Sequence, residues 1–294
     1  MLGKRGAILG DELIELVPAG GQLRVGALDE GVTLVGVAVG AEGKAEACMG
    51  IASTDIDGNG LPDIFITNFE TETNTLYANM GNRIFDDQTE TMELARSSYT
   101  MMGWGTQFLD LNDDDQPDLV LLNGHLHQRR MAAQIFLMDK GRFRTPSSYD
   151  GDYFNEEWLG RALAIADLNN DARPDLIATH RTGRPHVLIN ESGSRRRMKL
   201  RLVATASHRN ALGTRVALTS GSHSISHTLS TEGGYLTANE SAVWLTLPES
   251  GSVDSLTIQW PSGHKQTLKN VDIGGTSVVV ESPGDDVRLV GIPD

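Results

Sequence analysis

Apolar residues along this chain come in short runs separated by polar turns, a pattern that predicts strands. Three four-residue runs, Ile64 to Thr67, Leu119 to Leu122 and Leu176 to Thr179, are rich in β-formers and read as buried strands. Each is preceded by an alternating or small-residue stretch: GIAST before Asp55, GTQFL before Asp110 and ALAIA before Asp167. Further on come NTLYAN (Asn74 to Asn79), QIFLMD (Gln134 to Asp139) and HVLIN (His186 to Asn190). Two copies then add a turn and an aromatic, GNRIF (Gly81 to Phe85) and KGRF (Lys140 to Phe143). From about Lys199 the pattern becomes short alternating segments, LRLVAT, TRVALTS, AVWLTL, DSLTIQW and TSVVVE, with Gly, Ser, Asn and Pro between them. These predict a small antiparallel β-sandwich, with Leu256, Ile258 and Trp260 on one face and Trp260 in its core.

One nine-residue loop joins the first two strands of every unit. It reads DIDGNGLPD from Asp55 to Asp63, DLNDDDQPD from Asp110 to Asp118, and DLNNDARPD from Asp167 to Asp175. The copies start 55 and 57 residues apart. Positions 1 and 9 are always Asp, position 8 is always Pro, and positions 3 and 5 are Asp or Asn. A unit of about 50 residues with four short strands is the size of a propeller blade. The expected fold class is therefore all-β: a partial β-propeller of three to four blades, followed by the sandwich. The expected divisions are a lead-in or degenerate blade over 1–46, repeats over 47–194, the sandwich over 198–282, and a tail over 283–294.

Acidic side chains at positions 1, 3 and 5 of a loop converge on one point when the chain winds around it, which suits a hard cation that takes six to eight oxygens. The first loop offers Asp55, Asp57, Asn59 and Asp63, with the carbonyl of Leu61. The second offers Asp110, Asn112, Asp114 and Asp118, with the carbonyl of Gln116. The third offers Asp167, Asn169, Asp171 and Asp175, with the carbonyl of Arg173. Ca²⁺ is the expected ion, ahead of Mg²⁺, which demands a tight octahedron. Position 6 calls for positive φ, which suits Gly60, is tolerable for Asp115 and fits Ala172 poorly, so the third site ranks lowest. An EF-hand is excluded, because its position-12 Glu would fall on Ile66, Leu121 or Ala178. The competing reading is an Asx-rich turn whose side chains bond their own backbone.

Composition narrows the partners. The net charge of −14 disfavours nucleic acid, since phosphate binding needs clustered Lys and Arg. No stretch is apolar enough to span a membrane, and no export signal is visible at the start. Cys48 is the one cysteine, read as a small core residue, so any metal here is held by oxygen. The basic stretch Arg195, Arg196, Arg197, Lys199, Arg201 reads as a solvated linker or strand edge. His125 and His127, two apart, would share one face of a strand, in a polar blade-edge role. GWGTQF (Gly103 to Phe108) runs into a strand and not a helix, so it is no dinucleotide loop.

The DxDxNGxxD loops with strand-forming flanks resemble the FG-GAP or VCBS repeats of integrin α-chain-type β-propellers. MGW (Met102 to Trp104), NGH (Asn123 to His125), RNALGTRVAL (Arg209 to Leu218), GGYLTANE (Gly233 to Glu240) and VDSLTIQWPSGHKQTL (Val253 to Leu268) resemble the cartilage acidic protein and UnbV-like branch, with its C-terminal ASPIC/UnbV domain. The resemblance covers residues 47 to 281. It implies calcium-stabilised repeats and an extracellular or periplasmic binding role toward protein or glycan, with no catalytic residues. Such propellers usually close with about seven blades, so three copies imply missing N-terminal blades, a truncated fragment or a homo-oligomer. An enzyme or accessory protein of natural-product biosynthesis is the alternative the UnbV-like relatives imply.

Overall fold

Each repeat is an antiparallel meander running outward from one inner strand. The computed structural model describes residues 6–9, 12–15, 37, 44–149, 151–221, 223–248, 253–271, 274–282 and 288–291. The expected lead-in over 1–46 and tail over 283–294 lie mostly outside them. Described there are a hairpin of β1 (Gly6–Leu9) and β2 (Glu12–Glu15), a few residues before Ala47, and β23 (Arg288–Gly291). The first repeat forms β3 (Ile51–Thr54), β4 (Asp63–Ile66), β5 (Thr75–Asn79) and β6 (Phe85–Asp87), paired in chain order. After the short helix α1 (Ala95–Ser98), the second forms β7 (Gly103–Leu109) and β8 (Asp118–Asn123), then, past the two-residue β9 (Met131–Ala132), β10 (Gln134–Asp139) and β11 (Arg142–Arg144). β9 pairs with β12 (Glu157–Trp158), stitching the second unit to the third. The third has only β13 (Gly160–Ala166), β14 (Asp175–His180) and β15 (His186–Leu188), in keeping with the absence there of a turn-plus-aromatic segment.

Each four-residue apolar run falls in the second strand of its sheet, with Thr67 one residue past the end of β4, and all of β8 is buried, as a strand covered on both faces must be. The inner strands β3, β7 and β13 lie side by side. Glycine makes that approach feasible: a Cβ at Gly50 would stand 1.9 Å from the Trp104 carbonyl oxygen, and one at Gly105 2.6 Å from the backbone of Leu163.

The rest of the chain builds two further sheets, so that five larger sheets take a β-propeller arrangement of five blades. β16 (Arg197–Val203), β19 (Val243–Thr246), β22 (Gly275–Val280) and β23 form one; β17 (Arg215–Ser220), β18 (His223–Thr228), β20 (Val253–Gln259) and β21 (Lys265–Val271) form the other. They bury a common core, in which Leu200, Leu218, Leu256, Ile258 and Trp260 are at most 1% exposed, so the two sheets also make a sandwich. The sandwich is not purely antiparallel, because β16 and β22 run parallel from Met198↔Gly275 to Val203↔Val280. Alternation gives the strands and their faces but is blind to strand direction.

One segment of the C-terminal region leaves the sandwich and lies along the inner strands of all three repeats. Gly234 and Ile51 exchange two backbone hydrogen bonds. The Tyr235 ring meets Trp104 edge-on at 4.9 Å, Thr237 Oγ1 donates to the Leu163 carbonyl at 3.2 Å, and the Glu240 N–H donates to Ile165 O at 2.8 Å. Asn239 carries the tightest pairing: its amide exchanges two hydrogen bonds with Gln107, at 3.0 and 3.1 Å, and its Oδ1 also accepts the Ile165 N–H at 3.0 Å. Gln107 is buried. Asn239→Ala leaves the Gln107 Oε1 and the Ile165 N–H unpaired, at about 1 to 3 kcal/mol each, while Gln107 Nε2 keeps its bond to the Leu163 carbonyl. The expected loss is about 2 to 4 kcal/mol in urea unfolding followed by tryptophan fluorescence, with the midpoint falling while the slope holds.

Candidate metal centre

The three repeated loops fold alike down to individual hydrogen bonds. The position-1 carboxylate accepts the position-6 N–H: Gly60 to Asp55 at 2.8 Å, Asp115 to Asp110 at 3.3 Å, Ala172 to Asp167 at 3.2 Å. Position 3 accepts from the N–H of position 5, and position 5 from that of position 7, in all three. This ladder of Asx turns explains the side-chain types at positions 1, 3 and 5 on local grounds. It forces positive φ at position 6, where Gly60 has +85°, Asp115 +66° and Ala172 +64°, and equally at position 4, at Gly58, Asp113 and Asn170. Ala172 adopts the left-handed conformation that its side chain disfavours, held there fully buried.

Position 9 has a role that loop spacing does not reveal. Asp63, Asp118 and Asp175 are at most 1% exposed, each at the start of its repeat's second strand. One oxygen of each accepts the position-2 N–H, from Ile56, Leu111 or Leu168, at 2.8 to 2.9 Å. The other accepts an N–H within two residues of the end of the third strand, from Asn79, Met138 or Asn190, at 2.7 to 2.9 Å. Each Asp thus clamps its loop to two strands. Burial raises all three pKa values, that of Asp118 to about 7, against the opposing pull of those N–H bonds.

What surrounds the loops differs. In the first, ligand atoms of Asp55, Asp57 and Asp63 lie within 4.8 Å of one another, the one such acidic group among the described residues. Asn59 turns its Nδ2 to Asp57 and to the Asn79 carbonyl, and Leu61 is exposed. No Lys or Arg among the described residues forms an ion pair with the three carboxylates; Arg215 donates instead to the Gly60 carbonyl at 3.1 Å. In the second loop, Arg197 Nη2 stands 3.5 Å from Asp110 Oδ2 and donates to the Asp110 carbonyl at 2.7 Å, while Thr246 donates to Asp110 at 2.8 Å. Asn112 and Asp114 bond each other, and Gln116 is tied by its N–H to Asp114. In the third, Lys199 Nζ reaches Asp167 at 2.6 Å and also faces Glu240 at 3.5 Å; Asn169 bonds Asp171. The side chain of Arg173 swings away to Asp113 of the second loop at 2.9 Å.

These cations come from the basic stretch, and its reading as a solvated linker or strand edge is corrected: Arg197 and Lys199 are buried in β16. Their signal was the alternation in RRRMKLRL, which puts Arg195, Arg197 and Lys199 on one face of a strand and Met198, Leu200 and Leu202 on the other, in the sandwich core. Asp113 is the hub. It bonds Arg173, the Arg197 guanidinium and the Arg195 N–H, while Arg195 Nη1 reaches Asp115 at 2.6 Å. Two further expectations also change. Cys48 is exposed, not core, because its segment precedes β3 instead of belonging to it. His125 and His127 lie in a turn past the end of β8, where His125 meets Glu70 at 3.2 Å and accepts the His127 N–H at 3.0 Å.

Burial opposes the charge of Asp113, but the Arg173 and Arg197 guanidiniums outweigh it and its pKa is lowered from the ordinary 3.8. A carboxylate depressed on folding stabilises above its unfolded pKa, and that contribution drains as pH falls through the folded value. Asp113→Asn removes the carboxylate charge that the buried Arg197 shares with Arg173, leaving Arg197 only its contacts with Asp110, with an expected loss of about 3 kcal/mol at pH 7. The gap between variant and wild type should narrow below pH 3.8, as read from urea midpoints across a pH series.

A family model described as FG-GAP-like repeat matches residues 55–121 and again 110–178, so that all three loops fall inside it. A second, described as ASPIC and UnbV, matches residues 204–286, which include the axial segment around Asn239 and the core Trp260. No curated protein matches the chain. The order of those two modules is the order of the structure: the chain carries FG-GAP-like repeats followed by an ASPIC and UnbV domain.

Proposed function

We propose that this protein is a non-enzymatic, Ca²⁺-binding interaction module that takes a protein or glycan ligand outside the cell or in the periplasm. One observation carries the metal reading: Asp55, Asp57 and Asp63 hold their ligand atoms within 4.8 Å of one another, with no ion-paired cation among the described residues. Like charges that close repel, and desolvation already raises the pKa of Asp63. A divalent ion relieves both costs, and the donor set of carboxylates, the Asn59 amide and the Leu61 carbonyl is all oxygen, as Ca²⁺ prefers. Bound there, Ca²⁺ would supply charge neutralisation and rigidity; the residues of the loop supply its shape. At the second and third loops Arg197 and Lys199 stand beside the position-1 carboxylate, which favours the first loop as the strong site.

Isothermal titration of the whole chain is expected to show a single strong Ca²⁺ site. Saturating Ca²⁺ should raise the melting temperature, since a ligand at about 100 times its Kd adds about 2.7 kcal/mol. Asp57→Asn, at an exposed position, should abolish the heat and the shift while leaving the chelated protein's melting temperature nearly unchanged. No heat, together with no effect of chelator on melting, defeats the metal reading.

A further inference from the structure

A cavity of about 610 Å³ lies between the repeats and the C-terminal sheets. Its walls are strand edges, not strand faces, because consecutive residues line it and not alternate ones: Ala52 to Thr54 of β3, Gln107 to Leu109 of β7, and Ser224 to Thr228 of β18. Each of these strands is at the edge of its sheet. Among the described residues, none of the three stretches makes a backbone hydrogen bond beyond its own sheet.

We propose that this channel binds an extended, polar peptide segment of a partner protein, which adds as a strand to the free edge of β18. The inference rests on the interaction-module reading and chooses the ligand class within it. β18 pairs with β17 over six consecutive residues without a bulge, and its sequence HSISHT contains no Lys, Arg, Asp, Glu or Pro, the devices that usually blunt an edge. The Leu229 N–H points toward the β17 side, to Thr214 O at 2.8 Å. Alternation therefore aims the N–H groups of Ser224, Ser226 and Thr228 into the channel. The protein itself already uses this mode, since the axial segment lies against the inner strands and exchanges backbone bonds with Ile51. A run of main-chain donors and acceptors two residues apart matches another polypeptide, and no sugar polymer repeats it. Exposed Glu232 on the wall suits a basic side chain of the peptide.

The test pans a display library of random heptapeptides on the whole chain in Ca²⁺ buffer, then measures the selected peptides as synthetic compounds. Ser226→Pro removes one channel-facing N–H without removing a β17 ladder bond; Ser226→Ala is the control, since both variants lose the hydroxyl that accepts from Arg215 Nε. Affinity is expected to weaken about tenfold in the proline variant and to stay within about twofold of wild type in the alanine control. Peptide should also slow amide hydrogen exchange across residues 224–228 in the unaltered protein, a readout that stands even if the proline variant does not fold. Equal binding by the two variants, protection elsewhere, or no selected peptide overturns the proposal. An array of neutral oligosaccharides run in parallel separates the failures: sugar binding without peptide binding defeats only the peptide inference, and neither defeats the interaction-module reading as well.

Discussion

Buried or crowded carboxylates must be neutralised, and how each loop meets that demand organises the whole molecule. The loops present the same hydrogen-bonded frame three times, with a negative charge at position 1 each time. In two of them a cation from β16 answers the charge, and in doing so it fixes the C-terminal sheets against the second and third repeats. In the first loop, among the described residues, no cation from that strand forms an ion pair with the carboxylates. The same sequence motif therefore serves domain docking in the second and third loops, and in the first its carboxylates stand without an ion-paired cation among the described residues.

The network around Asp113 shows why docking is specific. A desolvated Arg197 has few acceptable surroundings, and the register of β16 that puts it on Asp113 and Asp110 also puts Lys199 on Asp167. A slip of one residue would turn both cations into the sandwich core and Met198 and Leu200 into the acidic seam. A second tie, the Gln107 and Asn239 amide pair, is neutral and sits at the axis. Together they hold the inner strands of the repeats against a segment of the same chain.

The position-9 aspartates show that a repeated residue can answer a structural demand as well as offer a ligand. By their place in the loops they are offered as cation ligands. Asp63, Asp118 and Asp175 are needed in any case, because each satisfies two N–H groups in a buried place where water cannot. Recurrence thus measured the structural demand common to all three blades. The distinction between the loops comes from their neighbours.

The sequence by itself determined the repeats, the apolar runs of their second strands, the sandwich core around Trp260 and the two modules in their order. All of these are local: periodicity, turn residues and spacing depend on neighbours a few positions away. Only the tertiary structure decided that Arg197 and Lys199 are buried, that β16 and β22 run parallel, that Asn239 reaches the propeller axis, and that Asp55, Asp57 and Asp63 stand together without an ion-paired cation among the described residues. Those facts depend on which distant segments meet. Charge and hydrogen-bond satisfaction at such a meeting are properties of both sides, and one stretch of sequence carries only one of them.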